Sequence, residues 1–204
     1  MTGKPRLVLV SNYRDRAKGQ KALVNLARCA GEPVGLVEHG TRGLAERLAE
    51  MEPSLVFLSG SEYLLSRPGT RERFREQLEL VKDAPFPILG ICFGHQLIGT
   101  AFGAGMSDLG LMVRRFEPVD ILDHNPLFSG LPGTITVAES HRQALNSVPE
   151  GFVRLAQSAT SSIEAISHES MPVYGLQFHP ERSDDEHPHG RMIIRNMVGL
   201  AERA

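Results

Sequence analysis

The sequence predicts an α/β protein with a mainly parallel sheet flanked by helices and additional antiparallel strands in the C-terminal half. Over the first hundred residues, short apolar segments alternate with amphipathic ones, whereas the second half is rich in strand-like segments separated by turns. Successive strand–helix units imply right-handed crossovers between parallel strands. Functional groups are therefore expected beyond the carboxyl ends of those strands.

Four strand–helix units are predicted in the first half. Each strand is a short apolar run, as expected for a sheet covered on both faces. Each helix carries apolar residues three and four apart; Gly31 and Pro53 are expected to end the first two, and Thr41 to be the N-cap of the second. The predicted strands lie within 6–11, 33–39, 54–60 and 86–92, and the helices within 17–33, 41–53, 69–85 and 93–103.

The second half is predicted to contain five strands and a closing helix. Connectors rich in turn-forming residues separate these strands. With no internal repeat and no linker-like tract, the chain is expected to form a single domain, 1–204. The strands lie within 113–122, 133–140, 152–158, 163–168 and 172–179, and the helix within 189–204.

Composition excludes several classes of function. The 22 basic and 24 acidic side chains give a net charge of −2, which argues against nucleic acid or an anionic membrane as partner. No apolar segment approaches the roughly 18 residues needed to span a bilayer. The two cysteines form no disulfide framework, so a reduced, cytoplasmic protein is expected. The acidic, histidine-containing stretch 183–190 is interpreted as a solvated loop, so no metal is expected.

The most informative short stretch is GICFG, in which Cys92 stands between Gly90 and Gly94. It lies where a buried strand meets a helix, which is the cysteine version of the Gly-x-Ser-x-Gly nucleophile elbow. The helix N-terminus is expected to favour thiolate, and the N–H of Phe93 to stabilise an oxyanion. A buried structural cysteine is the alternative interpretation.

A nucleophilic cysteine needs a base, and the base needs an acceptor that orients it. The stretch FHPE places His179 at the end of a predicted strand, followed by Pro180 and Glu181. Since proline disfavours helix in the residue before it, both side chains can emerge at the strand end. Glu181 could then accept a hydrogen bond from the imidazole.

Together, GICFGHQLIGTAFG and YGLQFHPE resemble the triad-type, class I glutamine amidotransferases over nearly the whole chain. Among the subfamilies, residues 123–158 look most like the glutaminase subunit of GMP synthase. The resemblance implies a flavodoxin-like fold with Cys92 as nucleophile, His179 as general base and acid, and Glu181 as orienting carboxylate. It implies no cofactor.

The resemblance also implies further site residues and partners. Gly60 and Phe93 would supply the oxyanion hole, while Gln96, Ser140 and His141 would help to bind substrate. Glutamine, or another γ-glutamyl compound, would be the substrate, and a separate synthetase would accept the ammonia.

Two stretches depart from the family pattern. After the third strand, Ser61 and Glu62 replace a Gly-Pro pair. The Cβ of Ser61 is expected to make the turn harder, and Glu62 to add a negative charge near the oxyanion. Both changes predict a partly formed oxyanion hole and slow glutamine hydrolysis by the isolated chain. Arg142 and Gln143 replace a Gly-Asp pair. These departures favour one alternative, a stand-alone γ-glutamyl hydrolase; a non-catalytic regulatory domain is the second alternative.

Overall fold

The computed structural model describes residues 6–203, which form nine strands in one sheet and six α-helices. The strands are β1 (Leu7–Ser11), β2 (Val34–Glu38), β3 (Leu55–Leu58), β4 (Ile88–Ile91), β5 (Met106–Ile121), β6 (Thr134–Leu145), β7 (Phe152–Gln157), β8 (Ala165–His168) and β9 (Val173–Leu176). The helices are α1 (Arg16–Ala30), α2 (Leu44–Met51), α3 (Thr70–Arg73), α4 (Arg75–Asp83), α5 (Phe93–Ala101) and α6 (His189–Ala201).

The sheet has the mixed character that the sequence predicts. Its order is β2-β1-β3-β4-β9-β8-β7-β5-β6. The pairs from β2 through β9 are parallel, and those from β9 through β6 are antiparallel. The predicted fold class is therefore confirmed.

Helices cover both faces of the parallel part of the sheet. Leu7 and Leu9 of β1 belong to one core cluster, while Val8 and Val10 belong to a second. Because side chains alternate along a strand, the two clusters lie on opposite faces, which explains why this strand is apolar throughout.

Helix α2 begins later than predicted. Gly43, with φ of 61°, is its N-cap, so the prediction of Thr41 is wrong. The N–H of Leu44 instead donates to Oε2 of Glu76 at 2.9 Å, and this carboxylate from α4 replaces a local capping side chain.

The helix predicted over 69–85 is interrupted at Phe74, where the backbone leaves helical geometry with φ of −104°. The ring of Phe74 is buried against those of His39, Tyr63 and Phe93. This aromatic packing accompanies the break between α3 and α4.

Strands β5 and β6 are longer than predicted. They pair with each other over their length, from the pair Met106–Leu145 to the pair Asp120–Thr134. The register is irregular between Asp108 and Val113. The closing helix ends at Ala201, and Ala204 of its predicted range lies outside the described residues. Within residues 6–203, no helix is long and apolar enough to cross a membrane.

Candidate active site

Cys92 lies at a sharp turn between β4 and α5. Its φ of 52° and ψ of −100° are rare for a residue with a side chain, and strain of this kind concentrates at functional sites. A Cβ on Gly90 would lie 2.5 Å from the backbone carbon of Gly94, and one on Gly94 would lie 2.3 Å from the carbonyl oxygen of Leu58. Both glycines are therefore required by close backbone packing around the turn.

Two neighbouring segments contact the side chain and backbone of Cys92. The N–H of Cys92 donates to the carbonyl oxygen of Leu176 at 2.7 Å. Its Sγ lies 3.6 Å from the carbonyl oxygen of Ser140 and 3.8 Å from Nε2 of Gln177. The turn is thus tied to β9 and β6.

His179 and Glu181 follow β9, which pairs with β4 through Leu176 and Ile91. The parallel pairing brings His179 to the same sheet edge as Cys92. Nδ1 of His179 lies 2.8 Å from Oε1 of Glu181, so an Nδ1–H donates to the carboxylate and fixes the tautomer. The two residues are only 2% and 3% exposed.

Burial raises the pKa of the Cys92 thiol to about 12, and the charges of Glu139 and Glu181 act in the same direction. Arg182 and the N–H of Phe93 lower it, but by less. Desolvation of the thiolate thus outweighs the hydrogen bond from the N–H of Phe93, and the shift is opposite to the pKa depression expected at the helix N-terminus.

Burial lowers the pKa of His179, although Glu181 opposes this shift. Burial alone would raise the pKa of Glu181, but the ring of His179 and the guanidinium of Arg182 hold it below its ordinary value. The resting arrangement is a neutral thiol, a neutral imidazole and an ionised carboxylate.

Gly60 lies directly against the base. A Cβ added to it would lie 2.8 Å from Cε1 of His179 and 3.0 Å from the hydroxyl oxygen of Tyr13. The N–H of Phe93 interacts with Cys92 and lowers the pKa of its thiol. Both groups lie at the edge where an oxyanion would form, and their role in stabilising it stays a prediction.

The loop after β3 is held by hydrogen bonds of the Ser61 hydroxyl. The hydroxyl of Ser61 donates to the carbonyl oxygen of Asn12 at 2.7 Å and accepts from the N–H of Tyr63 at 3.0 Å. Ser61 is not among the residues with positive φ within 6–203, so its Cβ introduces no backbone strain. The expectation that Ser61 distorts this turn is wrong.

The carboxylate of Glu62 is paired with neighbouring groups. Its carboxylate lies 2.7 Å from Nζ of Lys18 and accepts from the N–H of Arg14 at 3.0 Å. Burial would raise the pKa of Glu62, but these partners bring it below its ordinary value. The negative charge is therefore neutralised locally, and the expected electrostatic penalty is not supported.

Gln96 is buried among protein groups: its Nε2 donates to the carbonyl oxygen of Gln143 at 2.7 Å and to Oε1 of Gln177 at 3.1 Å. Ser140 offers its backbone oxygen to Cys92, whereas the ring of His141 lies 3.1 Å from Glu139. The substrate-binding roles of Gln96, Ser140 and His141 stay predictions.

Sequence reasoning missed Glu139 and Glu164, which are 2% and 0% exposed. Burial raises the pKa of Glu139 to about 8 and that of Glu164 well above its ordinary value. A signal was present, since each glutamate interrupts an apolar strand segment, TVAES and SIEAI.

A sequence model of the family "Glutamine amidotransferase class-I" matches residues 17–199. The chain is 38% identical over 155 residues to the glutamine-hydrolysing GMP synthase subunit of Thermococcus kodakarensis, covering 76% of this chain and 79% of the relative. It is 33% identical over 176 residues to the protein of the same name from Archaeoglobus fulgidus, covering 86% and 89%.

Solved structures show the same fold. A Thermoplasma acidophilum protein, provisionally assigned to GMP synthase, matches with a TM-score of 0.81 and 26% identity, covering 100% of this chain and 96% of that one. A glutamine amidotransferase from Thermotoga maritima matches with a TM-score of 0.76 and 15% identity, covering 98% and 99%. The matched family model and the identity to these relatives show that this chain belongs to the class I glutamine amidotransferases.

Proposed function

We propose that this chain hydrolyses the side-chain amide of glutamine through Cys92, His179 and Glu181 and delivers ammonia to a separate synthetase. The observation that carries the proposal is the strained turn at Cys92 beside the strand end that bears the hydrogen-bonded His179–Glu181 pair. A structural cysteine requires neither a positive φ nor an oriented histidine nearby.

The first half of the reaction forms a thioester. Nε2 of His179 accepts the thiol proton, and the sulfur of Cys92 attacks the amide carbon of glutamine. The N–H groups of Phe93 and Gly60 stabilise the resulting oxyanion. The imidazolium then protonates the amide nitrogen, the carbon–nitrogen bond breaks and ammonia leaves.

The second half regenerates the enzyme. His179 removes a proton from water, which attacks the thioester carbon. Glutamate leaves as the carbon–sulfur bond breaks, and the imidazolium returns its proton to the sulfur of Cys92. Glu181 accepts from Nδ1 throughout and stabilises each imidazolium.

Access to the site supports regulation by a partner. Cys92 is 5% exposed and His179 is 2% exposed, so glutamine requires an opening of the surrounding segments. The relatives named as glutamine-hydrolysing GMP synthase subunits support a synthetase of the GMP synthase type as that partner. A partner that binds the open form better would increase its population. We therefore expect slow hydrolysis by the isolated chain.

Covalent labelling tests the nucleophile. A diazo-ketone analogue of glutamine should add one label, mapped by mass spectrometry to Cys92. Cys29, fully buried with its Sγ 3.5 Å from the hydroxyl oxygen of Ser183, provides the internal control. Labelling of Cys29 with Cys92 unmodified would contradict the mechanism.

Ammonia release tests the substrate and the partner. The purified chain should release ammonia and glutamate slowly from glutamine, and faster with the synthetase of the same organism. If γ-glutamyl amines or peptides are turned over much faster than glutamine, with no response to the synthetase, a stand-alone hydrolase is the better assignment.

Strand β5 offers a surface for that partner, since Leu111 and Met112 are 60% and 53% exposed. Large exposed apolar patches mark protein–protein interaction sites. Replacing both with lysine should abolish stimulation by the synthetase. Replacing Val24 and Val148, which are 65% and 39% exposed, with lysine should not.

A further inference from the structure

A second buried histidine–carboxylate group lies beside the catalytic residues. It consists of Glu139 and His141 of β6 and of Glu164, which immediately precedes β8. One ligand atom from each residue can be chosen so that all three lie within 4.8 Å of one another. The residues are 2%, 3% and 0% exposed, so water cannot solvate them freely.

The converging atoms are acceptors. Nδ1 of His141 lies 3.2 Å from the carbonyl oxygen of Gln143, and a carbonyl can only accept, so Nδ1 carries the hydrogen. In a neutral imidazole the lone pair is then on Nε2. That atom lies 3.1 Å from Oε2 of Glu139, but without the geometry of a hydrogen bond.

The carboxylate oxygens of the cluster also lack hydrogen-bond donors. Apart from the contact between the two carboxyl groups themselves, no described residue donates a hydrogen bond to either oxygen of Glu139 or to Oε2 of Glu164. Oε1 of Glu164 accepts from the hydroxyl of Ser158 at 2.7 Å. An unpaired buried acceptor is costly, and three side chains here present such atoms to one another.

Ionisation of Glu139 and Glu164 would also leave the charge of the cluster unbalanced. Neighbouring Glu117 is paired with Arg115 and accepts from the hydroxyl of Thr160. Within residues 6–203, no lysine or arginine forms an ion pair with Glu139 or Glu164. If both are ionised, they carry two negative charges, which one divalent cation would neutralise.

We propose that Glu139, His141 and Glu164 bind one divalent transition-metal ion. One imidazole and two carboxylates, with no thiolate, suit Zn²⁺, Fe²⁺ or Mn²⁺. Nitrogen and oxygen ligands lie about 2.0–2.2 Å from such an ion. Adjacent ligand atoms are then separated by about the 3.1 Å observed between His141 and Glu139.

The surrounding groups resemble those that orient metal ligands. The carbonyl of Gln143 fixes the tautomer of His141, and the hydroxyl of Ser158 holds one oxygen of Glu164. In the sheet order, β6 is the last strand and is separated from β8 by β7 and β5. An ion here would join β6 to β8 and so fix the segment whose Ala138 and Ser140 carbonyls contact His179 and Cys92.

Metal content is the direct test and needs no catalytic activity. The full chain, without an affinity tag, is loaded separately with Zn²⁺ and Co²⁺, passed over a chelating resin and analysed for metal. We expect one ion per chain and, with Co²⁺, visible absorption bands of a nitrogen–oxygen site. Glu164→Gln and Glu139→Gln should bind at least about 100-fold more weakly because each removes a charged ligand.

A matched control separates this site from surface binding. The loop pair His187 and Asp184 lies 3.0 Å apart, and His187→Gln removes it. This variant should bind as much metal as the unaltered chain. Equal binding by Glu164→Gln and the unaltered chain would overturn the proposal.

Thermal unfolding with and without metal separates loss of the metal site from a general folding defect. Without metal, Glu164→Gln should change Tm little, because burial raises the pKa of Glu164 and keeps its carboxyl protonated, and glutamine has the same shape. With Zn²⁺, Tm should rise for the unaltered chain and not for Glu164→Gln. If no stoichiometric metal is bound and Zn²⁺ leaves Tm unchanged, the cluster is instead a pair of carboxyl groups that share a proton, and the proposal fails.

Discussion

Two buried histidine–carboxylate groups lie beside strand β6, and they differ in how well their polar atoms are matched. In the proposed catalytic group, His179 donates through Nδ1 to Glu181 at 2.8 Å, and Arg182 lies 3.5 Å from the same carboxylate oxygen. Oε1 of Glu181 therefore has a donor and a compensating positive charge, and only Oε2 of this carboxylate lacks a hydrogen-bond partner.

In the second group, the ring of His141 donates to a backbone carbonyl and turns its other nitrogen toward Glu139. Burial raises the pKa of both Glu139 and Glu164, and the charge of Glu139 adds to the rise for Glu164. In this group, hydrogen-bond acceptors of the imidazole and the carboxylates face one another. It therefore needs a proton or a cation from outside the chain.

The comparison shows that residue types alone do not determine chemistry. A carboxylate beside the N–H of an imidazole orients a base, whereas carboxylates beside an imidazole lone pair form a ligand set. The tautomer, which is set by the partner of Nδ1, distinguishes the two groups.

The largest expected effect is loss of the catalytic pair itself. Cys92→Ala and His179→Ala should each lower kcat for glutamine hydrolysis by about 10⁴-fold or more, because nucleophile and base act as a unit. The measurement is steady-state glutamate formation. Cys29→Ala, which changes the other cysteine, should retain activity; a comparable loss there would place the nucleophile elsewhere.

Gly60→Ala tests how tightly the base is positioned. The added methyl group would lie 2.8 Å from the ring of His179, so the imidazole must shift. A displacement of this size in catalytic geometry costs about 100-fold in rate. The control is Gly133→Ala, since a Cβ there would meet nothing within 4 Å. Equal kinetics for the two variants would show that the ring has room to move.

Glu181→Gln should reduce kcat by about 10- to 100-fold with KM little changed, because it weakens stabilisation of the imidazolium while keeping the shape of the side chain. The sequence alone, with thiolate expected to be available, predicts only that this variant keeps measurable activity. The buried thiol makes proton acceptance by His179 necessary, so a larger effect is now expected. Glu150→Gln, at an exposed position, serves as control. A loss as severe as that of Cys92→Ala would assign Glu181 a role beyond orientation.

The catalytic group also predicts how stability changes with pH. The folded pKa values of His179 and Glu181 lie below their ordinary values of 6.5 and 4.5. At these two groups the unfolded chain binds more protons, so their contribution to the free energy of unfolding should fall as pH falls below about 6.5; Glu139 and Glu164, whose folded pKa values are raised, act in the opposite direction.

Urea unfolding at several pH values between 7 and 4 measures this decline. It should be shallower in His179→Gln, which lacks one of the two groups, and unchanged in His124→Gln, at an exposed position. An equal slope in the His179 variant would show that its protonation is not linked to folding.

The parallel half of the fold and its elbow could be predicted because their signals are local. Apolar runs fix the buried strands, and two glycines around Cys92 indicate close backbone packing whatever the partner. The interruption of the helix at Phe74 could not be predicted from the local sequence, because it accompanies contacts with rings from other segments.

Burial and pairing also explain what was missed in the site. The pKa of Cys92 depends on desolvation by the whole surrounding fold, which no local pattern encodes. Glu139 and Glu164 are 25 positions apart in the sequence, and only the curvature of the sheet brings β6 to the segment before β8.

The smallest expected effect concerns the loop after β3. Ser61→Gly restores the glycine of the family pattern, which should raise kcat if the side chain impairs the oxyanion hole. The structure predicts otherwise, because Ser61 has no positive φ and its hydroxyl links Asn12 to Tyr63. Losing these hydrogen bonds should lower the free energy of unfolding by about 1–2 kcal/mol, with no gain in kcat. Ser61→Ala removes the hydroxyl without adding backbone freedom, so it separates the two contributions to stability. A tenfold gain in kcat in Ser61→Gly alone would show that the braced loop restrains catalysis after all.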